Sequence, residues 1–269
     1  MHTLLPLLKG LALGALFNLP QVCAGTVGWM LGLYEQGIYA IGFSHHAVKK
    51  SVLFLLLAGL GVGLGSWLLS NPLGEFYRNY PFPAGYFLLG AAIGCLPLLW
   101  RKAKVRRMCA SAVLFPILGA GLILLAAFAP GGWLHFTIGG WAVYLVVALA
   151  GAVAGAVLLL PGLPVFSILG LLGLSGTVAS ILEQPQPALG IALGVGFLLG
   201  LFGMAKLLNH CLSRHAAGTH LLFLGMIAAE AVLHFPGFPS GNSWLVCTAT
   251  FLVGLFGVTL VNIVNRKRK

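Results

Sequence analysis

Hydrophobic residues run along this chain in long blocks, separated by short polar or turn-forming stretches. In order, the blocks predict apolar helical segments at Leu4–Leu19, Val22–Phe43, Ser51–Leu69, Ala84–Trp100 and Met108–Phe128. A second set follows at Trp141–Leu182, Ala188–Leu208, a segment ending near His234, and Trp244–Val264. Most approach the ~20 residues needed to cross a hydrocarbon core of ~30 Å. Between them the pattern predicts loops at Asn71–Pro83, Pro130–Gly140, Asn209–His220 and Phe235–Ser243. Pro20 separates the first block from the second, because a helix cannot pass a proline without losing a hydrogen bond. These two blocks form either a re-entrant hairpin or two short crossings, and in both cases the chain returns to its starting side.

The stretch Gly14–Tyr34 recurs as Gly155–Ser175, with Gly14, Pro20 and Gly32 matching Gly155, Pro161 and Gly173 at one offset of 141 residues. A second series, Gly59, Gly61, Gly65 and Gly90, matches Gly194, Gly196, Gly200 and Gly225 at an offset of 135. A shorter loop after the second pair absorbs the difference. Each half then contains one interrupted pair, with no net crossing, and three spans. An odd number of crossings turns the second half upside down relative to the first. The expectation is an all-α polytopic membrane protein of two inverted repeats, residues 1–128 and 129–269. Glycines at helical spacing let helices approach closely in lipid.

Composition agrees: 59% of residues are hydrophobic and 7% charged, which leaves nothing for a sizeable soluble domain. The net charge of +11 raises the question of nucleic acid, but the cations lie in short runs between apolar blocks. With both termini in the cytoplasm, 14 of the 15 Lys and Arg residues fall inside and only Arg78 outside. That is the positive-inside pattern, a far better account of the cations than a nucleic-acid partner. The five cysteines show no metal-ligand spacing and read as small buried hydrophobes. The early region carries only Lys9 as a cation, and bulky Val22 precedes Cys23, so the first block is expected to stay in the mature protein.

Candidate chemistry lies at the two breaks. A helix that starts inside the bilayer turns unpaired N–H groups and partial positive charge toward whatever sits there, which makes an anion site without a buried cation. Asn18, Gln21, Cys23, Gly25 and Thr26 surround the first such start. Gly25 admits close approach to the backbone and Thr26 offers a hydroxyl. For one copy alone, a proline kink with hydroxyls bonded to their own helix explains the pattern as well. Duplication at matching depth favours a substrate path. Glu230 is embedded in its span, placed either to take a coupling proton or to bond a neighbouring helix. Five histidines, His45, His46, His210, His215 and His220, stand in predicted loops at irregular spacing, which fits solvated loops better than a metal site. No cofactor is implied.

The first motif carries Gly14, Pro20, Val22, Gly25, Thr26, Gly32, Leu33, Tyr34 and Glu35, and the second carries Pro161, Gly162, Gly173 and Leu174. In these residues the chain resembles the polyprenyl-phosphate transporter family, also called domain of unknown function 368. The resemblance extends over nearly the whole chain. It implies a multi-pass protein of the bacterial inner membrane that flips undecaprenyl phosphate, the lipid carrier recycled in cell-wall synthesis. It brings Tyr34, Glu35, Gly162 and Ser167 into the candidate site. Departures occur at Gln21, Cys23 and Ala24, where the family has Gly, Ser and Gly, and at Pro164, Val165 and Phe166, where it has Ser-Gly-Ser. Ser175 stands in place of Tyr. Arg78 and Arg214 fall one residue from equivalence and are candidates to receive phosphate on opposite faces; ordinary anionic membrane lipids are the alternative partner. Protons or sodium are the candidate coupling ions. Two rival functions stay open: a small inorganic anion channel or transporter on the same paired half-helices, and a lipid pyrophosphate phosphatase. The phosphatase lacks any Asp and has few histidines near the breaks.

Overall fold

The computed structural model describes residues 4–17, 19, 22–42, 48–105, 110–128, 131, 141–183, 186–239 and 243–267. Among them every regular element is an α-helix. The first six are α1 (Leu4–Phe17), α2 (Ala24–Met30), α3 (Tyr34–Ile41), α4 (Val48–Asn79), α5 (Pro81–Ala103) and α6 (Ala110–Phe128). The second six are α7 (Ala142–Leu158), α8 (Val165–Leu171), α9 (Ser175–Glu183), α10 (Pro187–Arg214), α11 (Ala216–Leu233) and α12 (Ser243–Lys267). Five of these, α4, α5, α10, α11 and α12, are long and apolar enough to cross a membrane, so the chain is a multi-pass membrane protein.

Three expectations need correction. The second arm of each interrupted pair is not one helix. Val22–Phe43 holds α2 and α3, and the matching arm of the second pair holds α8 and α9. Glycine in the left-handed conformation causes each break, Gly32 at φ +65 and Gly173 at φ +75. Next, Asn71–Pro83 is mostly helix, because α4 runs through Pro72 to Asn79 and α5 begins at Pro81. Pro72 removes one backbone donor without ending α4, whereas Pro81 occupies a first helical position, where a missing N–H costs nothing. Finally, Asn209–His220 is not a loop. α10 reaches Arg214, His215 alone intervenes, and α11 starts at Ala216, so polarity there marks helix emerging from lipid. The loop Pro130–Gly140 and the pair His45 and His46 lie almost wholly outside the described residues.

α5 and α11 pack on each other at the centre of the bundle. Their inner faces, with α2 and α3, build the main core from Trp29, Tyr34, Ile38, Cys95, Leu99, Phe223, Met226 and Ile227. α4, α10 and α12 present large apolar side chains outward, among them Trp67, Leu199 and Leu245, as lipid contact requires. α1 packs on α4 and α7 on α10. These contacts are backbone to backbone: a Cβ on Gly14 would stand 2.1 Å from the Val62 carbonyl oxygen, and one on Gly155 2.1 Å from that of Phe197. In the facing helices, a Cβ on Gly65 would stand 2.0 Å from the Leu11 oxygen and one on Gly200 1.9 Å from that of Ala152. Gly200→Val is therefore expected to push α10 off α7 and lower the thermal midpoint in detergent, by a destabilisation of about 1–3 kcal/mol. Gly194→Ala, on the same helix with nothing within 4 Å of its Cβ, serves as the neutral control.

Candidate functional site

The two breaks are built alike. α2 starts after Cys23, whose extended backbone (φ −93, ψ 132) turns the chain into the helix. It closes by Gly32 N–H donating to the Trp29 carbonyl and Leu33 N–H to that of Gly28. α8 starts after Pro164 in the same extended region (φ −67, ψ 127). It closes by Gly173 N–H donating to the Gly170 carbonyl and Leu174 N–H to that of Leu169. Both are Schellman closures, in which the left-handed glycine lets the last carbonyls find donors. Such satisfaction is what permits broken helices away from water.

The breaks touch each other. A Cβ on Gly25 would lie 2.7 Å from the Pro161 nitrogen and 2.8 Å from the Leu160 carbonyl, so only glycine lets α2 rest on the second break. Gly162, at φ +80, donates its N–H to Thr26 Oγ1 at 3.0 Å. Thr26 Oγ1 in turn donates to Glu230 Oε2 at 2.5 Å. Cys23 completes the group, its thiol and backbone N–H lying close to the Glu230 carboxylate. Thr26, Cys23 and Glu230 are all buried. Tyr34 ties the first pair to the second from another angle, its hydroxyl donating to the Leu159 carbonyl at 2.7 Å, an oxygen left over at the end of α7. The Thr26 hydroxyl at the first break thus already serves an internal acceptor, the Glu230 side chain.

A small open cavity of about 40 Å³ reaches this group. Val22, Thr26, Met30, Tyr77, Leu88, Ala92, Glu230 and His234 are among its walls. Its deep end lies beside Ala92, about halfway along α5. Beyond Met30 an aromatic cluster fills the space: Trp29 stacks on Tyr34 with centroids 4.8 Å apart, and Phe223 meets Tyr34 edge-on at 5.5 Å.

Next to that cluster lies an ionic network. Glu35 accepts from Lys102 at 2.6 Å and from His220 Nε2 at 3.1 Å, while Lys102 Nζ stands 4.9 Å above the Trp29 ring. His220 Nδ1 faces the Ala216 carbonyl at 2.5 Å. Both ring nitrogens of His220 thus face acceptor oxygens, that of the Ala216 carbonyl and one of the Glu35 carboxylate. Burial pushes the Glu35 carboxyl up, but the bonds from His220 and Lys102 outweigh it and hold the group at about 2, below its ordinary 4.5. The network's contribution is therefore complete above the ordinary carboxylate range and fades as pH falls toward 2. Thermal midpoints in detergent are expected to show an acid-side loss between these limits that Glu35→Gln lacks.

The sequence-derived candidates separate into groups. Cys23, Gly25, Thr26, Gly162 and Glu230 come together at the contact between the breaks, with Tyr34 alongside. Glu35 belongs to the separate ionic network. Arg78 and Arg214, in the last turns of α4 and α10, are exposed and do not line the cavity; Ser167 is also exposed. Asn18 and Gln21 lie outside the described residues. Sequence reasoning missed Lys102, His220 and His234. The last had a signal, since it follows Glu230 by four residues and so shares its helix face.

The profile of the family described as undecaprenyl phosphate translocase-like matches residues 13–238. A protein named polyprenyl-phosphate transporter from Staphylococcus aureus (strain NCTC 8325 / PS 47) is 27% identical over 261 residues, covering 92% of each chain. One of the same name from Vibrio cholerae serotype O1 (strain ATCC 39315 / El Tor Inaba N16961) is 24% identical over 241 residues, 84% of this chain and 76% of its own. No solved structure matches the chain.

Proposed function

The chain belongs to the undecaprenyl phosphate translocase-like family, and we propose that it flips undecaprenyl phosphate or a related polyprenyl phosphate across the bacterial cytoplasmic membrane for re-use in envelope synthesis. The observation that carries this reading is the contact between the two breaks, Gly162 on Thr26 beside Glu230, at the end of a cavity. A phosphate monoester carries about −1.5 to −2 charges at neutral pH and cannot enter hydrocarbon unaided, while its isoprenoid tail is at home there. The protein has only to give the headgroup a polar path and leave the tail in lipid.

Two inverted repeats, residues 1–128 and 129–269, account for the packing. Gly90 on Phe251 and Gly225 on Pro116 are one contact under an exchange of 135 positions, as are Gly119 on Leu222 and Gly254 on Phe87. Placing both termini in the cytoplasm turns the cavity mouth, at the far end of α4 and the start of α5, to the outer side. The Glu35–Lys102–His220 network then closes the cytoplasmic side. Arg78 and Arg214 attract headgroups at the two surfaces, where anionic membrane lipids compete for them. Inside, Glu230 holds the donors of Thr26 and Cys23; a coupling proton on Glu230 releases them to phosphate, and parting of the aromatic cluster lets the headgroup through. Sodium in place of the proton would need oxygen ligands beside Glu230.

A transporter is favoured over a phosphatase by the family description and by the names of the two relatives. The test is headgroup flipping in proteoliposomes, with a labelled polyprenyl phosphate, with and without ion gradients. Movement of inorganic phosphate without lipid would favour the small-anion channel, and release of phosphate from a prenyl pyrophosphate would favour the enzyme.

A further inference from the structure

We propose that His234 is the group that receives a phosphate monoester in the cavity, one helical turn before the headgroup meets Thr26 and Glu230. The inference rests on the transport reading for its physiological ligand, but its geometry is independent of the contact between the breaks. The cavity walls described above are mostly apolar, and none of them is Lys or Arg. His234 is one of the residues lining this space, and its Nδ1 is buried without a hydrogen-bond partner. The Glu230 carbonyl lies near the ring and accepts the His234 backbone N–H at 3.0 Å, but it does not meet Nδ1 in hydrogen-bond geometry. A buried ring nitrogen with no partner is costly unless something occupies it.

The ligand chemistry follows. A phosphate monoester has a second pKa near 6, so at neutral pH it offers acceptor oxygens and, in part of the population, one P–OH. Imidazole Nδ1 serves either form, donating as N–H or accepting as the bare nitrogen. Four residues of helix separate His234 from Glu230, a rise of about 6 Å, so an oxyanion at His234 avoids direct contact with the carboxylate. Arg78 cannot take this role, since it is exposed and off the cavity. The position that matches His234 at the offset of 135 is Leu99, which is fully buried and offers no such nitrogen. Capture is therefore sided, and the cavity mouth is where it happens.

The experiment is equilibrium binding to the full chain in detergent or nanodiscs, with two probes, a fluorescent polyprenyl phosphate and inorganic phosphate. The variants are His234→Leu and His234→Asn, the latter placing an amide nitrogen near the Nδ1 position. The expected result is a Kd for the lipid raised about tenfold in His234→Leu, the effect of losing one hydrogen bond to a charged group, and largely restored in His234→Asn. Inorganic phosphate that competes in the wild type and fails to in His234→Leu identifies the bare phosphate group as the ligand. No competition, with the lipid still dependent on His234, identifies the lipid headgroup. Unchanged lipid and phosphate binding in a folded His234→Leu protein overturns the proposal, as does a folded His234→Asn protein no better than His234→Leu. Failure of the transport reading looks different: the wild type binds with His234 dependence and flips nothing.

Discussion

Gly25→Val is expected to abolish lipid flipping, with a loss of at least about a hundredfold, and Gly25→Ala to come close. The methyl carbon would meet the Pro161 nitrogen and the Leu160 carbonyl at 2.7–2.8 Å, and both are backbone, so no side chain can swing aside. Relief requires α2 to lift off the second break, which stretches the Gly162 to Thr26 hydrogen bond and removes the Glu230 carboxylate from its donors. Overpacking of this kind costs about 1–3 kcal/mol of stability. The loss of transport exceeds that cost because it acts on the geometry of the path. Gly59→Ala is the matched control: nothing lies within 4 Å of its Cβ, and alanine in a helix interior is favoured over glycine by about 1 kcal/mol. Flipping in proteoliposomes together with a detergent melting curve measures both. A Gly25→Val protein that flips lipid at the wild-type rate would remove the contact between the breaks from the mechanism.

Glu230→Gln is expected to bind polyprenyl phosphate more tightly and move it more slowly. The amide keeps the side-chain shape and still accepts from Thr26, but it no longer repels a second anion. At a separation of about 6 Å and an effective dielectric near 20, that repulsion is on the order of 2–3 kcal/mol. Its removal predicts a Kd lower by about tenfold or more. Turnover falls at least about tenfold, because the group that returns the donors of Thr26 and Cys23 to an internal partner has lost its charge. Thr26→Val gives the complementary result. It preserves volume but leaves the Gly162 N–H and one Glu230 oxygen unpaired in a buried place, a cost of about 1–3 kcal/mol for each group. Lower stability and weaker flipping should appear together in that variant. If Glu230→Gln weakens binding instead, Glu230 is a ligand for the substrate and not its competitor.

The site was legible in part. Thr26, Cys23 and Gly25 could be singled out because a proline interrupts an apolar run beside them, and Glu230 because an acid inside such a run is expensive. Their association could not be read, since the bond between Thr26 and Glu230 joins positions 204 residues apart and that between Gly162 and Thr26 joins positions 136 apart. His220 was read as a loop residue because polar letters surround it, yet it is buried against Glu35. Periodicity and hydropathy report whether a segment prefers lipid or water, and they are silent on which remote side chain meets a given donor.

Local chemistry, written in the amino-acid order, was enough to determine that this is an all-helical membrane chain and that glycine marks faces where helices touch. These are consequences of solvent preference and backbone freedom, which each short stretch carries within itself. Tertiary structure alone decided that the Thr26 hydroxyl of the first break is taken by Glu230 and that His234 lines the cavity that reaches them. Those outcomes depend on pairing between distant segments, because a buried donor or acceptor takes whichever partner the packing brings within about 3 Å, however far away in the chain that partner was synthesised.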